Sequence, residues 1–398
     1  MLFVVPPLVG HVNPTVAVGA ELAARGHGVA WAGLPGVVDG LLPPGANFVP
    51  VVGSLDATAF AALQERSRGL RGPAALKFLW EDFLVPYARA TAGDVLRAVE
   101  AGRPDVLVVD QQALAGAVVA RLTGVPWVTT ATTSAELTDP LAALPKVDAW
   151  VRRQLHDLQV DLGVDPTTAA RGDLRSSERL VLAFTTEALF GPADHLGPAV
   201  RFVGPAIDGR RPGGQVDPAR LAEWFCRRPR VLVSLGTVSA EAGDRFFGVA
   251  VEALAGQPLA ALVVAPRRVA DLVPPGVGNV RVVGHVPQVA LLPHLDAVVC
   301  HGGHNTVCEA LAHGVPLVVA PIRDDQPVVA DQVVRAGAGR RVRFGRVQPA
   351  ELLEAVTAAV SDPSLRRGAE AVRASFARAG GAVAAADAIE EELCEVAR

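Results

Sequence analysis

Short apolar runs bounded by turn residues recur along the chain, with helix-like stretches between them. Leu2–Val5, Gly28–Trp31, Phe48–Val52, Val106–Val109, Trp127–Thr130 and Leu180–Phe184 read as buried strands, and Thr15–Ala24 and Ala113–Leu122 as helices. Unbroken apolar strands alternating with helices predict an α/β fold with a parallel sheet covered on both faces. The rhythm stops at Gly204–Gly214, a stretch too rich in Gly, Pro and charge to join a core. It restarts with Val231–Leu235, Leu259–Ala265, Val280–Val283, Ala297–Cys300, Leu317–Ala320 and Arg341–Arg343. The pattern thus predicts two doubly wound α/β domains, residues 1–203 and 219–381, joined by a linker at 204–218. Residues 382–398 are expected to form a last helix that packs back across the hinge. Two irregular stretches, Leu55–Pro86 and Thr132–Asp173, carry Phe60, Phe78, Trp80, Phe83 and Trp150. Long aromatic connections at the open end of a sheet either line a ligand cavity or pack on their own domain's surface.

Composition narrows the class. The 398 residues suit two domains, and a chain that is 50% hydrophobic and 20% charged is not disordered. A net charge of −4 lacks the basic footprint of a nucleic-acid binder. Lysine occurs only at Lys77 and Lys146, a compositional bias of GC-rich bacterial genes. Cys226, Cys300, Cys308 and Cys394 have no disulfide-framework spacing, which fits a reducing, cytoplasmic setting. The opening residues Met1–Pro7 lack a basic leader and read as a strand. No apolar run reaches the length of a membrane span.

Several motifs are missing: the phosphate-binding G-x-x-x-x-G-K-[ST], a G-x-G-x-x-G after the first strand, H-E-x-x-H and G-x-S-x-G. The segment Val298–Leu311 is the richest in chemistry. A strand ends at Cys300, Gly302 and Gly303 allow close backbone approach, and a helix opens near His304. Free amides and the positive end of the helix make an anion site there. His301 adds a donor or a positive charge, and Asn305 and Thr306 add donors. Together they form a cradle for a diphosphate that uses no metal. Glu309, one turn on, can accept hydrogen bonds from the two hydroxyls of a ribose. A metal cluster of Cys300, His301, His304 and Cys308 competes with this reading but lacks a C-x-x-C. Asp325 and Gln326, after the strand Leu317–Ala320, suit sugar hydroxyls. Asp324 or Asp325 could equally cap the helix that follows. Ser234, Gly236 and Thr237 end the first strand of the second half. Strands one and four of a doubly wound sheet flank its ligand-binding switch point, so these residues should face His301–Thr306.

The same rule applied to the first half brings His11, after strand one, beside Asp110, at the end of strand four. Such a pair is a base oriented by a carboxylate. No serine nucleophile is in evidence, so the histidine would deprotonate a substrate directly.

These residues resemble the family 1 inverting glycosyltransferases of GT-B fold, in which two Rossmann-like domains face each other across a cleft. The likeness is carried by Gly284-His285-Val286-Pro287-Gln288, the His301–Glu309 block and Asp325-Gln326, with Gly10-His11 and Pro14 in support. The Arg- and Ala-rich composition is similar to the bacterial branch that decorates antibiotics, often with deoxysugars. The resemblance implies an inverting, metal-independent transfer from a dTDP- or UDP-sugar, used as donor substrate with no further cofactor. The acceptor would be a hydroxyl of a small hydrophobic aglycone. It implies His11 as general base with Asp110 as its partner. Ser234, Gly236, Thr237, His301, Gly303, Asn305 and Thr306 would hold the diphosphate, and Glu309 the ribose. His285, Val286 and Gln288 would lie at the nucleobase, and Asp325 and Gln326 at the sugar. His285 and His304 both stand where Trp is common, at the base and in the cradle. No nucleic acid or membrane partner is implied, and a homodimer is left open. Two rival functions use the same architecture: a nucleotide-sugar epimerase, and a non-catalytic nucleotide-sugar binding protein.

Overall fold

The structure is a computed structural model that describes residues 1–53, 56–67, 69–207, 228–236 and 243–396. Chain contacts divide it into two compact units. The first takes Met1–Thr185, Asp194–Arg211 and Ala379–Arg398; the second takes Thr186–Ala193 and Pro212–Arg378. Most of the expected linker, residues 208–218, and Thr237 lie outside the described residues.

In the first unit β1 (Leu2–Val4), β2 (Ala30–Gly33), β3 (Asn47–Pro50), β4 (Leu107–Asp110), β5 (Trp127–Ala131), β6 (Val181–Ala183) and β7 (Val200–Phe202) form one parallel sheet. Its order is β3-β2-β1-β4-β5-β6-β7. The apolar runs predicted the first six strands to within two residues at most ends. β7 was not expected. It is a three-residue edge strand with an exposed centre, so it lacks the continuous apolar signature of the inner strands. One face of the sheet, with Phe3, Val108, Val128 and Leu182, packs on the helix Val9–Ala24 and on the helix Ala382–Val396. Arg25 fastens that last helix through Asp387 and Glu390, and His27 reaches Glu390 at 2.7 Å.

The opposite face carries the other core, and it includes Phe60, Trp80 and Phe83. The sequence left two readings for these aromatics, lining a ligand cavity or packing within their own domain. They are buried at 3–7% exposure, with Phe78 packed beside them. The ring pairs Phe60–Phe83 and Phe83–Tyr87 stand 5.8 and 5.9 Å apart. Helical segments at 57–67 and 73–84 turn their apolar sides to the sheet, and burial of that area decides the outcome.

The second unit has β8 (Arg230–Ser234), β9 (Ala260–Val264), β10 (Val280–Val283), β11 (Ala297–Cys300), β12 (Leu317–Val319) and β13 (Gly339–Arg341). The order β10-β9-β8-β11-β12-β13, all parallel, is again doubly wound. Among the described residues no helix is long and apolar enough to cross a membrane.

Candidate functional site

In each unit the first and fourth strands are neighbours, and the sheet order reverses between them. In the first unit these are β1 and β4. Asp110 is the last residue of β4, and His11 lies in the first turn of the helix Val9–Ala24 that follows β1. That helix starts six residues earlier than expected and includes Pro14. Pro14 is the sixth residue of this helix, so it forgoes the N–H bond that an interior residue would make to the Gly10 carbonyl. Nδ1 of His11 stands 2.9 Å from Oδ1 of Asp110. The carboxylate is fully enclosed, whereas the histidine side chain keeps 15% of its exposure. Buried charge demands hydrogen bonds, and Asp110 has three partners. Besides His11, the backbone N–H of Gln112 donates to Oδ1 at 2.9 Å and the Thr132 hydroxyl donates to Oδ2 at 3.0 Å. Thr132 Oγ1 is also 2.8 Å from His11 Nδ1. Nothing in the sequence pointed to Thr132 individually. The signal was its register, two residues beyond Thr130, which pairs with Asp110 across β4 and β5.

Beside this pair sits an unexplained polar group. Gln111 is 5% exposed, and neither polar atom of its amide has a hydrogen-bond partner.

The second unit repeats the plan at β8 and β11. Ser234 and Cys300 face each other in register at the strand ends. His301 follows, and the helix His304–Ala312 opens after Gly303. The imidazole fits between two glycines: a Cβ on Gly236 would come within 2.8 Å of it, and one on Gly303 within 2.6 Å. Gly236 also has φ +71°, a conformation L side chains rarely adopt. Burial pushes His301 down to about 4; the Asp325 carboxylate opposes this and the Arg323 guanidinium adds to it. Its Nδ1 is buried without a partner. At neutral pH the ligand-free His301 is therefore a neutral donor or acceptor. Of the two expected forms, donor or cation, the neutral one is favoured because desolvation outweighs Asp325.

The remaining expected residues are placed as follows. Asn305 and Thr306 are half-buried in the first turn of the helix. Glu309 is buried further along, and Oε2 accepts the Gln288 amide at 3.1 Å. Val286 and Gln288 are half-buried, and His285 is exposed. Asp325 occupies the cap position of the helix Gln326–Arg335, but its side chain makes no cap hydrogen bond. Gln326 Oε1 accepts the backbone N–H groups of Ile322 and Arg323 at 2.8 and 3.1 Å, which fixes the turn before that helix. The competing metal cluster does not form. His304 Nε2 lies 3.5 Å from Cys308 Sγ one turn along the helix, and burial pushes the Cys300 thiol up to about 12. Among the described residues no group of three or more His, Cys, Asp or Glu could hold a metal ion.

Comparison with known proteins shows the family and the fold. Residues 259–389 match the family described as erythromycin biosynthesis protein CIII-like, C-terminal domain. The chain is 32% identical to the 4'-demethylrebeccamycin synthase of Lentzea aerocolonigenes, over 96% of both chains. It is 30% identical to the demethyllactenocin mycarosyltransferase of Streptomyces fradiae, over 99% of this chain and 87% of the relative. The crystal structure of the glycotransferase of kitacinnamycin has a TM-score of 0.78 at 29% identity, over 98% of both chains. The two parallel sheets with flanking helices are those of the GT-B glycosyltransferases. The chain belongs to the bacterial natural-product glycosyltransferases of family 1, enzymes that transfer a sugar from a nucleotide sugar.

Proposed function

We propose that the enzyme transfers a sugar, a deoxysugar by preference, from a dTDP- or UDP-donor to a hydroxyl of a small hydrophobic aglycone, with inversion and without a metal. The observation that carries this reading is the His11–Asp110 pair, with Nδ1 held 2.9 Å from a buried carboxylate and the ring still reachable. His11 Nε2 takes the acceptor proton as the hydroxyl oxygen attacks the anomeric carbon. The new C–O bond forms on the face opposite the bond to phosphate as that bond breaks. One displacement at one carbon inverts the centre. The departing nucleoside diphosphate carries off the electron pair. The first-turn amides of the helix His304–Ala312 receive its charge, with Asn305, Thr306, Ser234, Gly236, Gly303 and His301 around them. Thr237 belongs to the same group by position. Glu309, steadied by Gln288, takes the ribose hydroxyls. His285 and Val286 take the nucleobase. Asp325 and the amide nitrogen of Gln326 take the donor sugar. The donor and acceptor classes are supported by the antibiotic-pathway relatives, one of them named for mycarosyl transfer.

The test is incubation with dTDP- and UDP-sugars, with and without a panel of phenolic and polyketide aglycones, in EDTA and in Mg²⁺. A glycoside of inverted anomeric configuration, formed equally well in EDTA, is the expected product. A donor that is consumed or epimerised without acceptor, or activity that requires the divalent ion, would overturn the reading.

A further inference from the structure

The hydrogen-bond arithmetic around His11 leaves one assignment. Thr132 is 3% exposed, and its hydroxyl has a single proton. That proton goes to Asp110 Oδ2, 3.0 Å away. The oxygen then presents only lone pairs to His11 Nδ1 at 2.8 Å. Asp110 Oδ1 presents lone pairs to the same nitrogen at 2.9 Å. Two acceptors converge on Nδ1, so Nδ1 carries the proton and Nε2 is the basic nitrogen. A second acceptor, one residue past the end of the neighbouring strand, restricts the ring further.

We infer that Thr132 is a positioning residue for the transfer: it locks His11 in the Nδ1–H tautomer and fixes the Asp110 carboxylate in place, so that Nε2 faces the acceptor hydroxyl. The inference rests on His11 being the base. Thr132 suits this role through its place in the fold. It stands one residue past β5, beside the β4 end that carries Asp110, and on the face of Thr130. Its β-branch restricts χ1, so the hydroxyl is held where a serine would be freer. The hydroxyl also gives the second oxygen of a fully buried carboxylate its hydrogen-bond partner.

The experiment compares Thr132→Val, which keeps the shape and removes the hydroxyl, with Thr132→Ser, which keeps the hydroxyl. Each is assayed with a neutral alcohol acceptor and with an acidic phenol already ionised at the assay pH. Thr132→Val should lower kcat for the alcohol about 10- to 100-fold, the scale on which partners of functional histidines act. KM for donor and acceptor should stay within about threefold, and the acidic limb of the pH profile should shift, because the hydroxyl contacts the base and not the substrates. The ionised phenol should lose no more than about threefold, and Thr132→Ser should recover most of the rate. Nitrogen-15 spectra of His11 should show the Nδ1–H form in the parent and a tautomer mixture in Thr132→Val. Unchanged kcat and pH profile, equal losses on both acceptors, or a rise in KM alone would overturn the inference. If Thr132→Val does not fold, Thr132→Ala is read by the same criteria. A His11→Ala control separates the two ideas. If it still works on the alcohol, the base assignment fails, whereas the spectra decide the role of Thr132 independently.

Discussion

A methyl group on Gly303 would stand 2.6 Å from Nε2 of His301. With φ −60° the glycine needs no special backbone freedom, so what it supplies is space for the imidazole. At 2.6 Å either the ring or the start of the helix His304–Ala312 must move. Gly303→Ala is therefore expected to retain both sheets, since the site lies beyond the strand ends. It should weaken nucleoside diphosphate binding by about tenfold or more, one displaced charge-facing donor being worth roughly 1.5–3 kcal/mol. Titration calorimetry with dTDP and UDP measures this. Parent-like affinity would show that the cradle does not depend on the ring position.

His301 also makes a pH prediction. Its ordinary value is 6.5, and in the folded chain it is about 4. Above pH 6.5 the group is neutral in both folded and unfolded chains. Between 6.5 and 4 the unfolded chain takes up the proton and the folded chain does not, so His301 makes stability fall as pH falls through that window. Below 4 both are protonated. The facing groups are Asp325, which raises the value, and Arg323, which lowers it. Asparagine does not titrate. The melting temperature of His301→Asn, relative to the parent, should therefore rise as pH goes from 7 to 4.5. A difference that stays constant would contradict the buried, neutral state.

Removing the base should separate binding from turnover. His11→Ala is expected to bind nucleoside diphosphate as the parent does and to lose about 100-fold or more in kcat with a neutral acceptor. Asp110→Asn should lose turnover as well, because an amide NH₂ facing Nδ1 would favour the wrong tautomer. It should also destabilise the first unit, since the amide NH₂ would lose one of the acceptor positions that Gln112 and Thr132 use. Steady-state kinetics alongside thermal melts distinguishes the two variants. Full turnover by His11→Ala across several acceptors would remove the histidine from the chemistry.

The strand pattern was legible because parallel strands buried on both faces are written as continuous apolar runs. Ala297–Cys300 and Val280–Val283 come out at the predicted ends. Once the strands are placed, the switch-point rule brings His11 to Asp110 across 99 residues, and they do meet. What the sequence could not show is what depends on side-chain surroundings. His301 reads as either a neutral donor or a cation until its desolvation is known. Phe60, Trp80 and Phe83 look like cavity linings until the sheet claims them for its core. Thr132 is one hydroxyl in Thr129–Ser134, a run with four threonines and a serine, and only the register of β5 singles it out. β7 is too short and too exposed to leave an apolar run.

Gln111 offers a test of whether the first unit gives up stability beside its proposed base. Both polar atoms of the amide are buried without partners, one residue after Asp110, although the backbone N–H is satisfied by Thr130 at 3.2 Å. An unsatisfied buried polar group costs about 1–3 kcal/mol, and an apolar group of the same shape removes that cost. Methionine has nearly the length and volume of glutamine and adapts to irregular space. Gln111→Met should therefore stabilise the protein by about 1 kcal/mol or more, a rise of roughly 2–4 °C in melting temperature for a unit of this size. A strained polar group kept next to chemistry is commonly retained for function. The variant should accordingly show a higher KM for the acceptor, with nucleoside diphosphate affinity unchanged because that cradle lies in the other unit. Melting curves and acceptor kinetics on the same preparation decide it. A lower melting temperature would mean that the amide is satisfied in solution, and a higher one with parent-like acceptor KM would mean that the enzyme tolerates the cost for no gain in acceptor binding.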